Sequence, residues 1–152
     1  MSRSPDEQLA AFLTKYTPEV AALAKRALAK MRRRLPGAVE LVYDNYNALA
    51  IGFGPTDRAS DAVFSIAVYP RWVSLFFLQG ANLTDPRKLL RGAGSRVRHI
   101  VLEDAADIDK PAVRGLMSRA LAAAAKPLPG KGRRRIVVKS VSARQRPRRP
   151  KA

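Results

Sequence analysis

The hydrophobic period of this chain changes at Leu35-Pro36-Gly37, and that change decides most of what its 152 residues can build. Before it, apolar side chains recur at helical spacing. From Ala38 the period is two up to Tyr69; Pro70-Arg71 breaks it before Trp72–Leu78, which reads as a strand apolar on both faces. Helices first and strands second specify an α+β domain with its helices gathered on one face of a sheet.

Ser4-Pro5-Asp6-Glu7 reads as a capping box with proline at the first helical position. The Ser4 hydroxyl accepts from the Glu7 N–H while the Glu7 carboxylate reaches back. Thr17-Pro18-Glu19 opens a second helix by the same logic. On it Val20, Ala24, Ala27, Leu28, Met31 and Leu35 fall on one arc, and Lys and Arg occupy the rest. Arg32, Arg33 and Arg34 suit the negative pole of that helix. Strands are predicted at 38–43 and 47–53 around Asp44-Asn45, then at 62–69, 72–78 and 97–102. A short helical turn is expected at Asp85-Pro86. A third helix is predicted at 110–126, capped by Asp107 or Asp109 and stopped by Pro127-Leu128-Pro129-Gly130. Short links between strands favour antiparallel pairing. The expected architecture is two N-terminal helices, an antiparallel sheet of about five strands, and a C-terminal helix packed on one sheet face.

Net charge is +17, and its distribution is uneven. Residues 130–152 carry ten Lys and Arg and no acid, whereas the body holds 19 Lys and Arg against 12 acids. This divides the chain into a domain at 1–129 and a basic extension at 130–152. In the extension, 135–141 has strand composition and could add to a sheet edge in this chain or in a partner. The segment 143–152 reads as a disordered Pro-rich tail with nothing to pack on. Charge of this sign attracts polyanions by non-specific steering.

Cysteine is absent, which removes disulfides, thiolate zinc sites and a cysteine nucleophile. The start of the chain lacks the pattern of a signal peptide, and no apolar run reaches the ~18 residues of a membrane span. A cytoplasmic location with no membrane partner is the expectation.

Chemistry-bearing motifs are few. Gly92-Ala93-Gly94-Ser95-Arg96-Val97 begins like a dinucleotide fingerprint but lacks its third glycine and feeds a strand, so a pyrophosphate would lose its helix N-terminus. Arg91, Gly92, Gly94, Ser95, Arg96, Arg98 and His99 nevertheless compose a glycine-rich, arginine-rich loop of the kind that holds a carboxylate or phosphate. His99 is the only histidine. It reads as a packing residue, since a general base needs an orienting carboxylate and a nearby nucleophile. Glu103, Asp104, Asp107 and Asp109 read as caps and dipole partners, not a metal site. No catalytic set, metal site or cofactor is predicted. Tyr43, Tyr46, Tyr69 and Trp72 either line the sheet face away from the helices or belong to the core.

Three stretches carry a resemblance. Phe12-Leu13…Pro18-Glu19 opens the domain and Val73-Ser74-Leu75-Phe76-Phe77 gives a central strand. The most specific stretch is Gly80-Ala81-Asn82-Leu83…Asp85-Pro86…Leu89-Leu90-Arg91-Gly92-Ala93-Gly94…Arg98-His99-Ile100. In order and spacing these resemble the YdhG-like family of small bacterial proteins, over residues 9–125. The resemblance implies a compact α+β domain. Some family members have been assigned as frataxin-like iron chaperones, a role that wants an acidic surface. Here the opening helices hold only Asp6, Glu7 and Glu19 among many basic residues.

Two functional expectations follow. The first is a non-enzymatic module that accepts a small anion or a protein partner at the Gly80–Arg98 edge. The second is non-specific nucleic-acid association through Arg32, Arg33, Arg34, Arg133, Arg134, Arg135, Arg144, Arg146, Arg148 and Arg149, with the steep salt dependence that counterion release imposes. An enzyme or an iron chaperone ranks below both. Oligomeric state is left open.

Overall fold

Helix α1 (Pro5–Leu13) starts on the capping box that the sequence requires, with Glu7 N–H donating to Ser4 Oγ and Ser4 N–H donating to Glu7 Oε1, each at 3.1 Å. Helix α2 (Pro18–Arg34) starts on Thr17, whose hydroxyl accepts from the Val20 N–H. These elements come from a computed structural model that describes residues 3–151. Met1, Ser2 and Ala152, the outer ends of the predicted 1–129 and 130–152 divisions, lie outside the described residues.

The strands are β1 (Val39–Asp44), β2 (Leu49–Gly54), β3 (Phe64–Val68), β4 (Val73–Phe77), β5 (Arg98–Leu102) and β6 (Arg135–Val141), and α3 (Pro111–Ala123) lies between β5 and β6. They form one sheet in the order β5-β4-β3-β2-β1-β6. Strands β1 to β5 meander antiparallel, as their short links dictate. Strand β6 joins the far edge parallel to β1, so the sheet is mixed and has six strands instead of about five antiparallel ones. A parallel neighbour needs a long crossover, which the segment carrying α3 supplies.

Alternation assigns one sheet face to the core. Val42, Ile51, Phe53, Phe64, Ile66, Val73, Leu75 and Phe77 share a single buried cluster with Leu9 and Leu13 of α1, the α2 stripe and Val113, Leu116 and Met117 of α3. Each such buried side chain contributes about 1.5–3 kcal/mol relative to exposure. Ala24 and Ala27, both fully buried, let α2 approach the sheet closely. Tyr16 closes one end: its hydroxyl donates to the Val68 carbonyl at 2.8 Å and accepts from the Leu49 N–H at 3.2 Å. Burial pushes its phenol up to about 12.

Three local expectations are corrected. The third helix is shorter than 110–126 and starts after Lys110 without a side-chain cap. Asp104 instead caps the preceding 3-10 turn Ala105–Asp109, while Asp109 pairs with Lys30 and Arg34 at the end of α2. The turn expected at Asp85-Pro86 is a single one, with Lys88 N–H donating to the Asp85 carbonyl at 3.0 Å, and it does not extend into a helix. The Asp85 carboxylate accepts from the Leu89 and Leu90 N–H groups at 3.0 and 2.8 Å and folds the segment as a loop.

The third correction concerns the end of the chain. Strand 135–141 pairs within this chain, and the segment after it packs instead of lying loose. Arg148 is 5% exposed and donates to the fully buried Asp44, Nη2 to Oδ1 at 2.9 Å. Gln145 donates to the Asp44 carbonyl, and Arg149 donates to the Lys15 and Thr14 carbonyls. The physical reason sits on β1. Glu40 and Asp44 point to the core side, in register with Phe53 and Leu49, where an unpaired carboxylate would be costly. Arg32 and Arg134 neutralise Glu40; Lys15 and Arg148 neutralise Asp44.

Candidate functional site

The loop between β4 and β5 is built on one close approach and one glycine of positive φ. A Cβ on Gly80 would lie 2.6 Å from Arg98 Cβ, so only glycine lets the 3-10 turn Gly80–Asn82 lie against β5. Gly92 has φ +120°, a left-handed conformation that glycine adopts without strain. Between them Arg91 and His99 exchange both backbone hydrogen bonds, at 2.8 and 2.9 Å, and close residues 91–99 into a hairpin-like loop. Residues 91–97 are exposed.

The predicted arginine trio separates. Arg98 donates from Nη1 to the carbonyls of Gly94 and Val97 at 2.5 and 2.8 Å, so its guanidinium staples its own loop. Arg91 and Arg96 form no ion pair among the described residues. What the loop offers an anion is therefore two exposed guanidiniums and the peptide groups of Gly92, Gly94 and Ser95.

His99 leaves the core. Its register partner is Phe76, and the two rings stack with centroids 5.1 Å apart on the sheet face opposite the helices. Burial against Phe76, assisted by the nearby Arg91 charge, holds its imidazole below the ordinary histidine value. No carboxylate is salt-bridged to it among the described residues, so the orienting partner of a general base is missing from its surroundings.

The same face carries the aromatic residues whose side alternation could not assign. Tyr43 stands on it in register with Ala50; Tyr69 and Trp72 stack at 4.7 Å at its margin. Phe76 belongs with them. Sequence reading had Phe76 only as part of a strand apolar on both sides; its pairing with Ser65, a polar position, is the signal that it faces outward.

Most of the basic residues named for nucleic acid are engaged within the chain. Arg32 and Arg134 hold Glu40, Arg34 holds Asp109, Arg135 lies 3.7 Å from Asp57, and Arg148 is buried on Asp44. Arg149 donates to backbone carbonyls, and Arg146 lies 5.6 Å over the Tyr46 ring. Arg33, Arg133 and Arg144 form no ion pair among the described residues. The acids at 103–109 serve the backbone and Lys110, Lys30 and Arg34, and among the described residues no cluster of three metal-ligating side chains occurs. No described helix is long and apolar enough to cross a membrane.

No family model, no curated protein and no solved structure matches this chain.

Proposed function

We propose that this chain is a non-enzymatic binding module, cytoplasmic and related to the YdhG-like proteins, that accepts an anion at the 91–98 loop. The observation that carries the reading is a placement. Arg91 and Arg96 stand exposed without an ion-pair partner among the described residues, as Arg33, Arg133 and Arg144 also do, and they flank Gly92 and Gly94 in one loop. A guanidinium beside glycine peptide N–H groups is the pairing that holds a carboxylate or phosphate. The Gly80-to-Ile100 motif behind the family resemblance is also the stretch that builds this loop, through Gly80, Asp85 and Gly92.

The test is calorimetric titration with inorganic phosphate on the full chain. Binding that is lost in Arg91→Ala/Arg96→Ala supports the reading. Binding unchanged in that variant contradicts it.

A further inference from the structure

The helices cover one side of the sheet, and on the other side the registers align two rows of side chains. One row runs Arg91, His99, Phe76, Ser65, Gly52 across the strands. The next runs Val101, Ser74, Ala67, Ala50, Tyr43. Rings stand toward one end of each row, His99 and Phe76 in the first and Tyr43 in the second, with small residues beside them. The result is a shallow trough of about 500 Å³, bordered by Tyr46 at the β1–β2 turn and by Phe76. That is the size of a ligand site. None of the residues lining it is charged, and in particular none is acidic.

Charge flanks the trough on both sides. Arg146 lies over the Tyr46 ring at one border, and Arg91 shares the row of His99 and Phe76 at the other. The whole chain carries +17. We propose that this open face binds single-stranded nucleic acid, with bases stacked on Tyr46, Phe76 and His99 and backbone phosphates met by Arg146 and Arg91.

The chemistry selects that occupant. A stacking ring accepts any unpaired base, and a sheet face with a few exposed aromatics holds two or three of them. A paired duplex has its base faces already stacked and cannot use these rings. An acidic peptide would satisfy the arginines but leave the aromatic borders idle. At its Arg91 end the inference rests on the anion reading above, and the experiment separates the two.

The probe is a fluorescein-labelled oligothymidylate of about ten nucleotides, followed by anisotropy with the full chain. Tyr46→Ala is placed at an exposed side chain (44%) and leaves the core untouched. Phe76→Leu keeps apolar cover while removing the ring, and thermal unfolding verifies that both variants fold. Each is expected to weaken binding about tenfold. Arg91→Ala/Arg146→Ala removes two phosphate contacts and is expected to reduce the salt slope by about 1.4. The inference is overturned if both aromatic variants bind like the parent chain, or if the corresponding duplex binds as tightly as the single strand. It is also overturned if the oligonucleotide fails to bind while phosphate titration still depends on Arg91 and Arg96, and that last outcome leaves the anion reading standing.

Discussion

Arg148 Nη2 lies 2.9 Å from Asp44 Oδ1, with the two side chains 3% and 0% exposed. A buried carboxylate on β1 therefore fixes the end of a chain whose composition suggests a loose cationic tail. Lys15 completes the site at 2.8 Å, so the turn after α1, β1 and the C-terminal segment meet at one carboxylate. Removing one partner of a buried pair leaves the other uncompensated. Arg148→Ala is expected to destabilise the chain by about 3 kcal/mol, read from urea unfolding. A change under about 0.5 kcal/mol, the level of an ordinary surface substitution, contradicts the packing of the segment.

Acid should release the same clamp. Burial raises the Asp44 pKa, but hydrogen bonds from Lys15, Gln145 and Arg148 outweigh it and hold the carboxyl below the ordinary aspartate value. A depressed folded value means that the unfolded chain takes up the proton first. The stabilisation is thus complete above about pH 4 and is lost as pH falls through the folded value. Comparing melting temperatures of the parent and Asp44→Asn across pH should show a gap at neutral pH that closes below about 4. A gap that is constant down to the acid limb contradicts the account.

How much of this was legible beforehand can be argued from β1 itself. Val42 faces the core, and a period of two puts Glu40 and Asp44 beside it on that side. Two acids on an apolar stripe demand cations, and the basic C-terminal segment was the obvious supply. Reading that segment by composition alone hid the demand. The helix starts at Ser4 and Thr17 and the five-strand meander were readable because caps and period are local. The parallel docking of β6 was not, since an edge is chosen by tertiary geometry. At the candidate site, the glycine–arginine loop was visible as a loop. The turning of Arg98 onto Gly94, and of His99 onto Phe76, depends on register and loop closure that spacing does not encode.

The lone histidine gives a direct probe of the open face. Because burial against Phe76 and the Arg91 charge both disfavour imidazolium, His99 should titrate by NMR below its ordinary value of about 6.5. Its contribution to stability is complete above that value and is lost as pH falls through the folded one. Arg91→Ala should raise the midpoint part of the way back. A midpoint above about 6.5 contradicts the stacked, cation-flanked placement.

Gly80 tests the architecture of the loop. Its added methyl would meet Arg98 Cβ at 2.6 Å and Phe77 Cβ at 3.1 Å, positions fixed by β5 and β4. Gly80→Ala is expected to cost about 1–3 kcal/mol and to weaken phosphate binding through displacement of residues 91–98. An unfolding midpoint equal to the parent's contradicts this close approach.

Where the chain meets anions is read most directly from a chemical-shift map of the backbone amides under phosphate titration. The account predicts saturable shifts at Gly92, Gly94, Ser95 and Arg96, with the amides of the C-terminal segment still. Shifts confined to residues 143–151, or none at the loop at any phosphate concentration, would contradict it.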